Sequence, residues 1–197
     1  MDAQPLVWPF PMPTSELILE AYWDLDLIET GTDLQRERLG NPGDLPRPWD
    51  LASCTEPDLR RDVWNWYEDV VTWFNHEYVW DPAAGMIPPC WPLHPHLIHD
   101  IGTLAGQRRH AGLVSTSAAL EEWHRYAVPA FLDRLRERAK HHCDEGHQAW
   151  PARSRFVRHE GAHRDYRGES MERDLISVRS ERHGASGVCV ELLCEPS

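Results

Sequence analysis

Apolar residues recur at helical spacing in four stretches of this chain. In "SELILEAYWDLDLIE", Leu17, Ile18, Ala21, Tyr22, Leu25 and Ile28 fall three and four apart, with five acids and no base among the other positions. The pattern predicts one amphipathic helix, laid either on the protein's own core or in another protein's groove, with Tyr22, Trp23 and Leu25 as its docking residues. "TEPDLRRDVWNWYEDVVTWFNHEYVW" predicts a second helix, with Thr55 as N-cap and Pro57 and Asp58 in the first turn. Its stripe of Leu59, Val63, Trp66, Val70 and Trp73 is flanked by Trp64, Tyr67, Val71, Phe74 and Tyr78, so it is too broad for a surface helix. Aromatic residues at this spacing, with acidic flanks, pack in a core rather than stack on bases.

A third helix should start at Pro95, carry Leu97, Ile98, Ile101, Leu104 and Ala105 on one face, and end before Gly112. A fourth should begin near residues 115–117 and run through Leu120, Trp123, Ala127, Phe131 and Leu135. Pro129 interrupts it. Proline lacks the backbone donor and crowds the carbonyl four residues back, which predicts a kink or two shorter helices meeting at Val128. The expected fold class is all-α: a bundle of three to four helices, helical almost throughout residues 55–145, with Trp66, Trp73, Trp123 and Phe131 inside.

Texture divides the chain in three: a Pro-rich acidic arm with one helix (1–52), the helical domain (53–150) and a polar, Arg-rich tail expected to be mobile (151–197). The closing "VCVELLC" has no firm structural assignment. Sixteen prolines and a mean hydropathy of -0.58 in 197 residues agree with one core plus segments outside it. Charge is uneven. Residues 1–100 carry 18 acidic against 5 basic side chains, and residues 101–197 carry 14 against 15, so net charge disfavours generic nucleic-acid binding while the late arginines could form a local basic patch. No stretch has the roughly 18 apolar residues of a membrane span and no secretory signal opens the chain, which points to the cytoplasm. Five cysteines, an odd number, suit reduced thiols or metal ligands better than a disulfide framework.

The chemistry-bearing pattern is a repeated pair: "CWPLH" places His94 four residues after Cys90, and "CDEGH" places His147 four after Cys143. Zinc in a structural site takes four Cys or His ligands in a tetrahedron, and local pairs are easy to organise around a turn. Helices running up, down and up return the end of the fourth segment towards the start of the third. A straight helix from Ser117 to Cys143 would rise about 39 Å against about 20 Å from Pro95 to Arg108, so the site requires a break at Pro129 or an exit from helix before "KHHCDEGH". The alternative is a buried thiol beside solvated histidines, with His96, His99, His141 and His142 as further candidates. "HPHLIHD" resembles metallohydrolase histidine clusters, but on a helix His94 and His96 point about 200° apart. No Gly-rich phosphate loop, G-x-S-x-G or H-E-x-x-H occurs, so no catalytic residue is assigned and no small-molecule substrate is evident.

The run "WNWYEDVVTWF", "PPCWPLHP", "LIHDIGTLAGQRR" and "LEEWHRYAVPAFLDRL", followed by a closing Cys and His, resembles an uncharacterised family of small Trp-rich actinobacterial proteins found on phages, plasmids and mobile elements. It covers roughly residues 60–150, with Cys90, Trp91, His94, Trp123, Ala127, Pro129, Cys143 and His147 matching and Tyr126 standing where the family has histidine. The resemblance implies a mobile-element setting, strengthens the Cys/His quartet as a zinc site and implies no activity. The expectation is a non-enzymatic protein-binding accessory module with a structural zinc. The alternative is a DNA-associated accessory protein using the Arg-rich C-terminal region, and a metal-dependent hydrolase ranks third.

Overall fold

A computed structural model describes residues 5–79, 85–139, 143, 147, 167–174 and 176. The chain divides into two units, residues 1–148 and 149–197. In the first unit the described residues form six α-helices and no strand: α1 (Glu16–Thr30), α2 (Asp33–Leu39), α3 (Pro57–Tyr78), α4 (Pro95–Leu113), α5 (Ala118–Glu122) and α6 (Val128–Ala139). The all-α class holds, and the helix count exceeds the three to four expected. The surplus has two causes. Thr32 and Gln35 form a reciprocal capping box that starts α2 inside the Pro-rich region. The predicted fourth helix is also split, by a π turn over Trp123–Ala127.

That π turn is how the chain accommodates Pro129. The Val128 N–H bonds the Trp123 carbonyl five residues back, one residue further than in α-helix. The extra residue comes just before the proline ring, whose missing donor and bulk cannot continue a regular ladder. Another correction concerns the start of α3. The cap is Glu56 rather than Thr55: its carboxylate accepts the N–H groups of Asp58 and Leu59, each at 2.8 Å. A carboxylate at that end also complements the helix dipole, an advantage Thr55 lacks.

The core gathers residues from Phe10 to Leu135. α3 supplies eight buried side chains, with Trp66, Trp73, Trp123 and Phe131 all inside as expected. Each buried large side chain contributes about 1.5–3 kcal/mol, so this wall is the main source of stability. The Pro-rich arm lies on it. An extended proline segment leaves its carbonyls unbonded, and α3 offers indole donors: Trp66 Nε1 donates to Pro11 O (2.8 Å) and Trp73 Nε1 to Trp8 O (3.0 Å). The Trp8 N–H reaches Glu77 at 3.0 Å, and its ring stacks 3.7 Å from His76. α1 follows, capped by Ser15, whose hydroxyl donates to Asp62 of α3; Ile18 and Ala21 enter the core. Through Phe10, Ile18, Ala21 and Leu51 the described arm, residues 5–52, shares the core of the helical domain. Gly102 is required where α4 passes Tyr67 and Trp49, because a Cβ there would stand 2.2 Å from the Tyr67 hydroxyl.

In the second unit, residues 167–174 are helical and, apart from half-buried Ser170, exposed. The expected mobility of the rest of the tail, and the assignment of "VCVELLC", lie outside the described residues.

Candidate metal centre

Three prolines stiffen the stretch that carries Cys90 and His94, and its neighbours pin it to α3. Asn75 of α3 grips the backbone of Ile87 through both amide atoms, Oδ1 accepting from Ile87 N (2.9 Å) and Nδ2 donating to Ile87 O (3.1 Å). Trp91 is buried, with its indole N–H on Glu68 at 3.0 Å. Between these anchors Trp91–Leu93 form one 3₁₀ turn, with Cys90 at its start and His94 at its end, where His94 also becomes the N-cap residue of α4. A tight turn of this kind folds a four-residue separation back on itself. The result is a Cys90 Sγ to His94 Nε2 distance of 3.3 Å.

The second pair arrives with α6. Asp100, one turn into α4, binds Arg134 (3.1 Å) and Arg138 (3.3 Å), which holds the end of α6 against the beginning of α4. α4 has 19 residues and α5 to α6 span 22, or about 28 and 33 Å, so the expected overshoot shrinks to about one turn. Cys143 follows four residues after Ala139, and its Sγ lies 3.5 Å from His94 Nε2. The His147 ring is 5.0 Å from that of His94. One ligand atom from each of Cys90, His94, Cys143 and His147 lies within 4.8 Å of the others, compatible with a shared metal ion.

Electrostatics treats the two kinds of donor differently. Burial, with the nearby Cys143, pushes the Cys90 thiol up, while burial and the neighbouring His147 push the His94 imidazole down. A neutral imidazole is the ligating form. A divalent cation would supply the positive charge that favours the thiolates. Of the additional histidines, His96 lies 5.7 Å from His94 ring to ring and His99 is exposed, while His141 and His142 lie outside the described residues. Sequence reasoning missed Asp100, Arg134 and Arg138, since a charge pair between helices has no signature until their register is known.

Tyr22, Trp23 and Leu25 sit elsewhere, on α1. Tyr22 is half-buried, with its ring 5.6 Å from Trp49 and 6.4 Å from Trp66, and the Arg109 guanidinium stacks on it at 3.4 Å. Leu25 is half-buried, whereas Trp23 is 63% exposed. All three line one side of an open groove. Most of the Arg-rich C-terminal region falls outside the described residues. No described helix is long and apolar enough to cross a membrane.

No family model, curated protein or solved structure matches this chain. What defines its class is therefore its own geometry: an all-α domain with a two-cysteine, two-histidine cluster at the junction of α4 and α6.

Proposed function

We propose that Cys90, His94, Cys143 and His147 hold one structural zinc, and that the chain is a non-enzymatic module that acts by binding another protein. The observation that carries this reading is the convergence of four donors, two sulfur and two nitrogen, from segments about fifty residues apart. With zinc–sulfur and zinc–nitrogen bonds of about 2.3 and 2.05 Å, a tetrahedron has sulfur–nitrogen edges of about 3.6 Å, close to the two distances found. Thiolate and imidazole together select zinc over calcium or magnesium, which want oxygen. Four protein ligands leave no open position for water, whereas a catalytic zinc keeps one. The resemblance described above adds a mobile-element setting to this proposal.

Metal analysis of the full-length protein tests it, with about one zinc per chain expected. X-ray absorption should read two sulfur and two nitrogen neighbours. A metal-free preparation that keeps all its helicity would remove the structural role, and a water in place of one protein ligand would favour the hydrolase reading. Partner binding is tested with point variants on α1. Deleting residues 1–52 is unsuitable, because it would take Phe10, Ile18, Ala21 and Leu51 out of the core.

A further inference from the structure

Five exposed apolar side chains share one groove of about 1360 Å³ between α1, α4 and the α5–α6 segment. They are Leu19 (44% exposed) and Trp23 (63%) from α1, Leu113 (58%) and Val114 (37%) from the end of α4, and Tyr126 (63%) from the π turn. A single exposed apolar residue needs no explanation, but a cluster rimmed by polar groups marks an interaction site. The space exceeds the roughly 300–1000 Å³ of a small-molecule pocket and follows α4 from Asp100 to Leu113, about 20 Å, which suits a helix. Acidic side chains stand on both walls. Asp26 and Glu29 stand on the α1 wall and Glu122 on the opposite wall, none of them in an ion pair among the described residues. Arg134 shares Asp100 with Arg138, and Arg109, stacked on Tyr22, has no ion pair among the described residues.

We propose that this groove receives a basic amphipathic helix of another protein. Its apolar face, with anchors at i, i+3, i+4 and i+7, rests on Trp23 and Tyr126, and Lys or Arg residues beside that face pair with Asp26, Glu29 and Glu122. The proposal rests on the protein-binding reading above and specifies the partner's chemistry. A second copy of this chain carries the same rim and a net charge of -12, so it would meet like charge on like. Phosphate-rich nucleic acid and anionic lipid surfaces meet the same repulsion.

The test uses the full-length protein and two fluorescein-labelled synthetic helices of about 18 residues with one shared leucine face, flanked in one by Lys and in the other by Glu. Fluorescence anisotropy should show the Lys helix bound about tenfold or more tighter than the Glu helix, with affinity falling as salt rises. Trp23→Ala with Tyr126→Ala should weaken it about tenfold. Reversing the rim (Asp26→Lys, Glu29→Lys, Glu122→Lys) should invert the preference. The same reversal at Glu20, Glu37 and Glu137, exposed and off the groove, should not. Equal losses from the two triple variants would reduce the attraction to net charge and overturn the proposal. Preference for the Glu helix, lost in the Trp23/Tyr126 variant, would overturn the basic partner while leaving protein binding intact. Binding of neither helix, with native-host capture unchanged by the Trp23/Tyr126 variant, would overturn both. Self-association abolished by the rim reversal would replace the partner with a second copy.

Discussion

Along α3, eight buried side chains meet residues from the arm, α1, α4 and α6 through apolar packing, and the polar atoms among them are few and bonded. At the corner where α4 begins and α6 ends, four polar donors crowd within 4.8 Å around half-buried or exposed side chains. Both regions join distant parts of the sequence. The first does so by removing apolar surface from water, a force that is spread over many contacts and tolerates small shifts. The second relies on a few directional groups that would need a shared cation to hold them, so loss of one donor should cost most of its effect. The core should therefore survive conditions that dissolve the corner.

Removing the proposed zinc should separate the two regions most sharply. Cys143→Ala is expected to abolish stoichiometric zinc, and strong chelation of the intact protein should do the same. Hydrogen exchange should then quicken at the α4 N-terminus and the end of α6 while α3 stays protected. Equal loosening of α3 would mean that the metal supports the whole domain. Next comes Trp66→Ala, which opens the core and orphans the Pro11 carbonyl. Denaturant unfolding should show a loss of about 3–5 kcal/mol, with or without metal. Gly102→Ala should cost about 1–3 kcal/mol in the same measurement, because the new methyl collides with Tyr67 and must disturb its 2.8 Å bond to Pro48 O.

Smaller effects sharpen the picture at the edge of the core. The Trp8 N–H, and secondarily His76, hold the Glu77 carboxyl below its ordinary range. A lowered folded-state value means that this tie is fully present above the unfolded carboxylate value and is lost as pH falls through the folded one. Exchange of the Trp8 amide should thus accelerate in acid, and Glu77→Gln should remove that pH dependence. Smallest of all, Trp23→Ala should change folding stability by no more than about 0.5 kcal/mol, since its ring is mostly in water. A larger loss would place Trp23 in the fold rather than on a binding face.

The helical periods of α1, α3 and α4 were legible because each period is local: side chains three and four apart share a face whatever packs against it. Pro129 announced a disturbance, a kink or two shorter helices meeting at Val128, but only the path of the chain could supply the π turn that leads into α6 there. The corner was half legible. Cys90 and His94 are close because four residues in a 3₁₀ turn make them so, and their meeting with Cys143 depends on Asp100 holding Arg134 and Arg138. The arm's place was left open between the protein's own core and another protein's groove. Its prolines do exclude helix, but nothing local says that their free carbonyls will face the indole donors of α3.

Sequence by itself determined the helical class, the faces of three helices and the two Cys/His pairs, since backbone stereochemistry and the spacing of apolar residues act over a few positions. Tertiary structure alone decided that the Pro-rich arm belongs to the core, that the two pairs converge, and that Trp23, Tyr126 and three carboxylates face one groove. These depend on how the helices are set against one another. That arrangement follows from the summed burial of about two dozen side chains and a few ion pairs, a sum over distant residues that no local window contains.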